Sequence, residues 1–465
     1  MEVRSLKFIA EACDAEIFGG LAGAEVKAVS TDSRTVKAGN MFFAIKGEKF
    51  DGHDFIAEVA AKGAVAIVVE PSQVPELKPK VGDAVALLAV ADVRAALGKV
   101  AAAYRRQFDL PVIAVGGSNG KTTVKELLAS VLRQKFSTLW SEASFNNDIG
   151  VPATLLRLEA SHQVAVLEVG TNHPGELAPL VKMIAPKFGV ITNIGREHLE
   201  FFGDVAGVAQ EEGWLAELLP ADGILFVNGD NEWSEKIAGR ARAKIVRVGL
   251  GEKNDWSARK IRLDKSGVTF SVVAPKAEFC GEYRINLLGR HQVTNALFAI
   301  ALGAELGLER VEIQDGLAVC LPPKMRLNYW EANGVRVLDD CYNANADSTI
   351  AALVTLCGLP LQGRRVAVLG EMAELGAHSQ AAHAEVGRRA AELKLGQLFA
   401  VGKMAAVTGQ AARDAGLMRV FEFPDVEAAM NVVRSFLKPG DVVLLKASRA
   451  SHLERIAEML KSEKN

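Results

Sequence analysis

Short runs of Val, Ile and Leu recur through the middle of the chain, each followed by a stretch with a different spacing of apolar residues. Val112 to Val115, Val164 to Val169, Phe188 to Thr192, Ile224 to Val227 and Lys244 to Val248 are apolar along nearly their whole length. Runs of this kind, with helical patterns between the earlier ones, are strands buried on both faces, and they predict a parallel sheet. After the first run, Val124, Leu127, Leu128, Val131 and Leu132 share one face at helical spacing. Between Ser257 and Leu288 the pattern becomes alternation around turns: Ile261-Arg262-Leu263, then Asp264 to Gly267, then Val268-Thr269-Phe270. That change predicts antiparallel hairpins appended to the sheet.

Leu321-Pro322-Pro323 is a rigid break. Beyond it, strand and helix alternate again through Val335 to Leu338, Arg365 to Leu369, Gln397 to Val401, Val420 to Phe423 and Val442 to Leu445. Helical patterns at Val426 to Leu437 and His452 to Lys461 complete a doubly wound region without GxGxxG. Ahead of the central sheet, residues to about 84 mix short elements around turn clusters, and a helix is expected from about Val90 to Phe108. The fold class is α/β in three domains: a small N-terminal domain over 1–84, a central parallel-sheet domain with an antiparallel subsection over 85–323, and a Rossmann-like domain over 324–465.

Composition narrows the setting. At 465 residues the chain is too long for one ordinary core, and 49% apolar with 24% charged residues is a globular mix. A net charge of −2 gives no argument for nucleic acid as partner. The first residues lack the form of a signal peptide, and the most apolar stretch, Val85 to Ala103, is interrupted by Asp92, Arg94 and Lys99. Membrane insertion is therefore not expected. Five cysteines without CxxC spacing read as reduced thiols in a cytoplasmic protein.

The chemistry centres on Gly117-Ser118-Asn119-Gly120-Lys121-Thr122-Thr123, between the first central strand and its helix. Glycines there let backbone N–H groups approach polyphosphate, the helix N-terminus faces the negative charge, Lys121 reaches the terminal phosphates and Thr122 serves Mg²⁺. Val115 stands where the longer form of this loop has its first glycine. The placement predicts ATP or GTP as ligand. Further polar residues stand near strand ends: Asn146-Asn147, Glu168, and His198 beyond Asn193-Ile194-Gly195. Singly, a strand-end Glu is a solvated group and a loop His a turn residue. With Thr122 they read as a metal site.

Two more segments suit the far wall of a nucleotide pocket. His291 and Asn295 share a helix face at i, i+4 and reach a base edge, or else form a polar cap. Asp339-Asp340, before Cys341-Tyr342-Asn343-Ala344-Asn345, suits ribose hydroxyls, a metal or an Asx turn. Lys446 to Arg449 reads as an anion receptor or a solvated basic turn.

In combination these motifs resemble the Mur ligases of peptidoglycan synthesis over nearly the whole chain. The resemblance rests on Thr31-Asp32-Ser33-Arg34, Asp51-Gly52-His53-Asp54-Phe55, Gly117 to Thr123, Asn146-Asn147, Thr171 to Glu176, and Thr192 to Gly195 with His198-Leu199-Glu200. It continues through Leu288 to His291, Tyr342 to Asn345 and Leu369 to Gly376. Asn172-His173-Pro174-Gly175-Glu176 and the Tyr342 to Asn345 segment are similar to the branch that joins D-alanyl-D-alanine to UDP-N-acetylmuramoyl-tripeptide.

The resemblance implies a closing enzyme that spends ATP with Mg²⁺ through an acyl phosphate, acting as a monomer. By the same implication Lys121, His198 and Arg326 are catalytic. Gly117 to Thr123, His291, Asn295, Arg326, Asp340 and Asn345 hold the nucleotide. Ser33, Arg34, Lys46, Asn146, Asn147, Asn172, Lys446 and Arg449 hold the other substrates, and Thr122, Glu168, His198 and Glu212 serve the metal.

Many members carry a carbamate-modified lysine after the His-Leu-Glu segment, and here that position falls at Glu212. A native carboxylate is expected to supply the charge, although it ends roughly 3–4 Å sooner. Met325, Ala346 and Ala447 are smaller departures. The rivals are a sister ligase adding a single amino acid and a P-loop switch or motor NTPase.

Overall fold

A computed structural model describes residues 1–462 apart from Ala22 and Leu361. The chain divides into two compact units. One comprises Met1–Ala114, Phe136–Thr171 and Gly175–Phe188, and the other Val115–Lys135, Asn172–Pro174 and Gly189–Asn465.

The first unit is built on a five-stranded sheet with the order Glu16–Phe18, Ala86–Ala89, Ala66–Val69, Asn40–Phe43, Ala28–Ser30. Its pairs are parallel except the outermost, where Glu16 lies opposite Ala89. The three inner strands are buried throughout. Phe42, Ile67 and Leu87 pack there with Ile56, Val59 and Leu77 from the covering helices. Each such fully buried side chain contributes roughly 1.5–3 kcal/mol. Because Ala86–Ala89 stands inside this sheet, residue 84 falls just ahead of one of its strands rather than beyond them. The helix expected over Val90 to Phe108 begins at Val93, where Asp92 caps it by accepting from the Ala95 N–H at 2.9 Å, and ends at Arg105. Also in this unit, Thr138–Trp140 pairs in parallel with Val164–Glu168.

The second unit opens with the end of strand Val112–Gly116 and the helix Lys121–Leu132. Ile224–Asn228 pairs in parallel with Lys244–Gly249, and Lys244–Gly249 with Trp256–Asp264. Strand direction then reverses through Gly267–Val273 and Gly281–Ile285, giving the antiparallel subsection at the place the alternating pattern marks. Residues beyond Pro323 form a six-stranded sheet with the order Asn328–Ala332, Val335–Asp340, Val442–Lys446, Arg365–Leu369, Gln397–Val401, Val420–Phe423. Five strands are parallel. The sixth, Asn328–Ala332, is an antiparallel edge that the sequence reading omits. Asn333 and Gly334, at φ 51° and 73°, turn it into its neighbour. An Asn-Gly pair is the sequence signal for that hairpin.

Candidate functional site

The phosphate loop is shaped by two glycines in the left-handed region, Gly117 at φ 107° and Gly120 at φ 90°. A Cβ on Gly117 would stand 2.5 Å from Thr192 Oγ1 and 2.8 Å from Asn193 O, so only glycine fits. The segment after strand Phe188–Ile191 holds the loop from outside. Ser118 N–H donates to Asn193 O at 2.8 Å, Asn119 N–H to Asn193 Oδ1 at 3.0 Å, and Gly195 N–H to Ser118 Oγ at 2.9 Å. Helix Lys121–Leu132 starts at Gly120 without a side-chain cap, so the positive end of its dipole lies at the loop.

Around this loop lie buried carboxylates with incomplete partnering. Lys121 Nζ donates to Gly117 O at 2.5 Å and to Glu197 Oε2 at 3.3 Å. Glu212, wholly buried on helix Val205–Glu217, accepts the Gly117 N–H at 2.7 Å through Oε2. Its Oε1 and the Oε1 of Glu197 are buried without a hydrogen-bond partner. Burial pushes the Glu212 carboxyl up to about 7; Lys121 opposes that shift and Glu197 reinforces it. Glu197 is the site residue that sequence reasoning missed. Its signal was its place between Arg196 and His198, in the segment that holds the loop.

His198 caps a short helix with a left-handed backbone at φ 47°, and its Nδ1 stands 2.6 Å from Glu374 Oε2. The imidazole beside it holds the Glu374 carboxyl below its usual range. Arg326 Nη2 donates to Thr122 Oγ1 at 3.3 Å, and its guanidinium lies 4.3 Å from the centre of the Tyr342 ring. Asn345 caps helix Ala346–Gly358 while its Nδ2 donates to Asn119 Oδ1 at 3.0 Å. Asn295 Oδ1 would meet a Cβ on Gly120 at 2.8 Å, so it packs directly on the loop. Burial holds the His291 imidazole down to about 4, so it faces the site neutral. Lys446 is buried, paired with Asp340 Oδ2 at 2.7 Å and donating to Asn343 O at 2.8 Å. Within this unit the structure thus brings together Lys121, Thr122, Arg326 and Asn345. Arg449, by contrast, lies mostly exposed beside Met325 and Glu454.

In the other unit, Asn146 Nδ2 donates to Glu168 Oε1 at 2.9 Å, and Glu168 Oε2 is buried without a partner. Asn147 Oδ1 accepts the Ile149 and Gly150 N–H groups at 3.3 and 2.9 Å in the turn that leads into helix Gly150–Leu155. Thr31-Asp32 borders a cavity of about 280 Å³ that Ser30, Thr35, Leu97 and Leu156 also line. Ser33 and Arg34 are not among its walls. Arg34 turns back on Asp32 at 2.7 Å and is largely exposed. Lys46 forms a backbone bridge with Asp51, whose carboxylate contacts His53 Nδ1 at 2.7 Å. His53 Nε2 is buried with no partner.

Three family models match the chain in order: Mur ligase family, catalytic domain, over 25–105; Mur ligase middle domain over 115–303; and Mur ligase, glutamate ligase domain, over 325–449. The chain belongs to the Mur ligase family. It is similar to the UDP-N-acetylmuramoyl-tripeptide--D-alanyl-D-alanine ligase of Escherichia coli, 37% identical over 95% of this chain and 96% of that protein. Among solved structures, MurF from Acinetobacter baumannii matches all of both chains at a TM-score of 0.89 and 32% identity. The MurF ligase from Thermotoga maritima in complex with ADP matches 94% of this chain and 97% of that one, at a TM-score of 0.81 and 28% identity. The three-domain α/β architecture is that of these Mur ligases. Among the described residues, no helix is long and apolar enough to cross a membrane, and no three His, Cys, Asp or Glu side chains form a ready metal cage.

Proposed function

We propose that the chain is an ATP-dependent amide ligase that joins D-alanyl-D-alanine to UDP-N-acetylmuramoyl-tripeptide, releasing ADP and phosphate. The observation that carries this reading is the glycine loop with Lys121 and Thr122, set beside Arg326 of the glutamate ligase domain, in a chain similar end to end to ligases of that name. We propose a domain division near 1–84, 85–323 and 324–465, with the first limit drawn past strand Ala86–Ala89.

The central difficulty of the reaction is bringing a peptide carboxylate to a polyphosphate. Two such charges about 4 Å apart repel by several kcal/mol at an intermediate effective dielectric. Lys121 and Arg326 supply fixed positive charge for this, and the loop amides of Gly117 to Thr123 add oriented donors. Lys121 leaves Glu197 and the Gly117 carbonyl as phosphate arrives. His291, Asn295, Asp340 and Asn345 are the proposed contacts for base and ribose. The carboxylate becomes an acyl phosphate, which the amine of the dipeptide then opens with loss of phosphate. Lys446 and Arg449 are proposed to orient the dipeptide.

The donors suit Mg²⁺, which takes oxygen ligands and is usually held by one or two carboxylates with waters and substrate phosphates rather than by an all-protein cage. Thr122 and Glu212 would hold it through oxygen, with His198 beside them as the one nitrogen donor proposed, and Glu197 joins them because its Oε1, like that of Glu212, is buried without a partner. Glu168, whose Oε2 is also buried without a partner, is proposed as a further metal-binding carboxylate. Bound Mg²⁺ would neutralise phosphate charge. Since Glu212 needs no modification to carry its own charge, turnover is expected to be independent of bicarbonate. Restoration of a bicarbonate-depleted enzyme by CO₂ would refute that role.

The UDP end is proposed to lie along the Thr31 to Lys46 region. Ser33, Arg34 and Lys46 are its proposed contacts, His53 joins them through its unpartnered Nε2, and the 280 Å³ cavity provides room for a nucleoside. Asn146, Asn147 and Asn172 are proposed for the peptide. With UDP-linked substrate and ATP both cytoplasmic, the enzyme works there, as a monomer. The test is phosphate release with ATP, UDP-muramoyl-tripeptide and D-Ala-D-Ala, offered singly and together, with the product's mass measured. Equal ADP release without muramoyl peptide would sink the ligase assignment, and a single amino acid outperforming the dipeptide would favour the sister ligase.

A further inference from the structure

Arg196 follows the segment that holds the phosphate loop, and neither the nucleotide nor the metal reading uses it. Its guanidinium is shared by two carboxylates far away in sequence. Nε and Nη2 donate to Asp347 Oδ1 at 3.0 and 2.6 Å, while Nη1 and Nη2 donate to the two oxygens of Glu385 at 2.5 and 3.2 Å. The Arg196 backbone N–H also donates to Asp347 Oδ2 at 2.9 Å. Asp347 lies in the first turn of helix Ala346–Gly358, and Glu385 lies on helix Ser379–Glu392. Both helices belong to the glutamate ligase domain, whereas Arg196 belongs to the middle domain.

The contact is close to the chemistry. A Cβ on Gly195 would stand 2.7 Å from Asp347 Oδ2, and Gly195 is tied to Ser118. One residue before Ala346, Asn345 reaches Asn119 of the phosphate loop. On the far side, His378 Nε2 meets Gly203 O at 2.8 Å and Glu200 N–H donates to Glu374 O at 3.1 Å. Arg196 on the middle-domain side of this seam is bound to two helices of the other domain. A guanidinium against two carboxylates is the strongest form of surface ion pairing, because its fork matches carboxylate geometry.

We propose that Arg196 is a positioning residue: a latch that docks the Asp347 and Glu385 helices on the phosphate loop and so keeps the loop covered while the acyl phosphate awaits the amine. The inference rests on the ligase reading above. Its consequence is coupling. With the latch intact, the acyl phosphate is shielded until the amine arrives. Without it, the domain opens more often and water competes.

The test compares wild type with Arg196→Met, Glu385→Gln and Arg196→Lys, measuring ADP and amide product in the same reaction at low and high salt. Arg196→Met is expected to form ADP at a rate within about threefold of wild type, to raise KM for D-Ala-D-Ala about five- to tenfold, and to lower amide formed per ADP by a similar factor. Glu385→Gln, which removes an outer and partly exposed partner, shifts the same ratio less, and Arg196→Lys recovers part of it. High salt moves wild type toward the Met variant. If Arg196→Met and Glu385→Gln both keep one amide per ADP with wild-type KM, the latch is refuted. If wild type itself makes no amide, the ligase reading fails instead.

Discussion

The second unit carries strands of two mixed, mainly parallel sheets with charged residues at their ends, and the two treat those charges differently. Around the phosphate loop, Glu197 and Glu212 are buried with an oxygen each left without a hydrogen bond. In the six-stranded sheet, Lys446 is bound to Asp340 and Asn343, and Asp441 takes Arg364 through both carboxylate oxygens. Ser448 likewise is occupied by Ala373 and Ala344. An unpaired buried charge costs several kcal/mol and persists where something outside the chain completes it, whereas a paired one belongs to the scaffold. One sheet presents an incomplete site; the other is a finished body that carries Arg326, Asp340 and Asn345 to it.

The largest effect expected from this contrast is at Lys121. Lys121→Ala removes the charge aimed at the phosphates and should lower turnover about 10³-fold or more, a loss that exceeds whatever stability goes with its Glu197 contact. Steady-state kinetics with thermal melting checks both halves. Turnover close to wild type would break the comparison at its strongest point.

Lys446 should respond the other way round. Lys446→Met strands Asp340 in a site where both are nearly inaccessible, and breaking such a pair costs roughly 3–5 kcal/mol of stability. Denaturant unfolding should show that loss. Restoring neutrality with Asp340→Asn in the same chain should recover part of it. If Lys446→Met abolished dipeptide ligation while leaving stability intact, Lys446 would belong with the incomplete site instead.

The same contrast explains what was legible in the sequence. Strands buried on both faces spell themselves out, so Arg365–Leu369, Gln397–Val401 and Val442–Lys446 fall where continuous apolar runs stand. Ala86–Ala89 was harder to assign, because the apolar stretch runs on from it toward the helix with only Asp92 as punctuation. The loop Gly117 to Thr123 is local and could be read directly. Glu197 was passed over because its meaning comes from Lys121, 76 positions away. Arg196 depends on partners 151 and 189 positions away, which no spacing rule connects. Asn147 shows the opposite case, a loop asparagine whose observed hydrogen bonds are local, to the N–H groups of Ile149 and Gly150.

The smallest effect expected is a pH dependence at Glu212, and it separates an incomplete site from a finished one without any substrate. Its carboxyl lies at about 7 in the fold against 4.5 unperturbed, because burial disfavours the charged form more than Lys121 and the Gly117 amide favour it. For a raised carboxyl the folded state holds the extra proton. The stability tied to this group is therefore fully present below pH 4.5 and is lost as pH rises through about 7. Glu212→Gln removes the titration. In metal-free, nucleotide-free protein, the variant's stability relative to wild type should improve across that window by roughly 3 kcal/mol and then level off. Added Mg²⁺ should reverse the trend for wild type alone, since a cation on the carboxylate favours its charged form. Parallel pH profiles for the two proteins, with and without Mg²⁺, would mean that Glu212 is satisfied within the fold, and the incomplete site would have to be sought at Glu197.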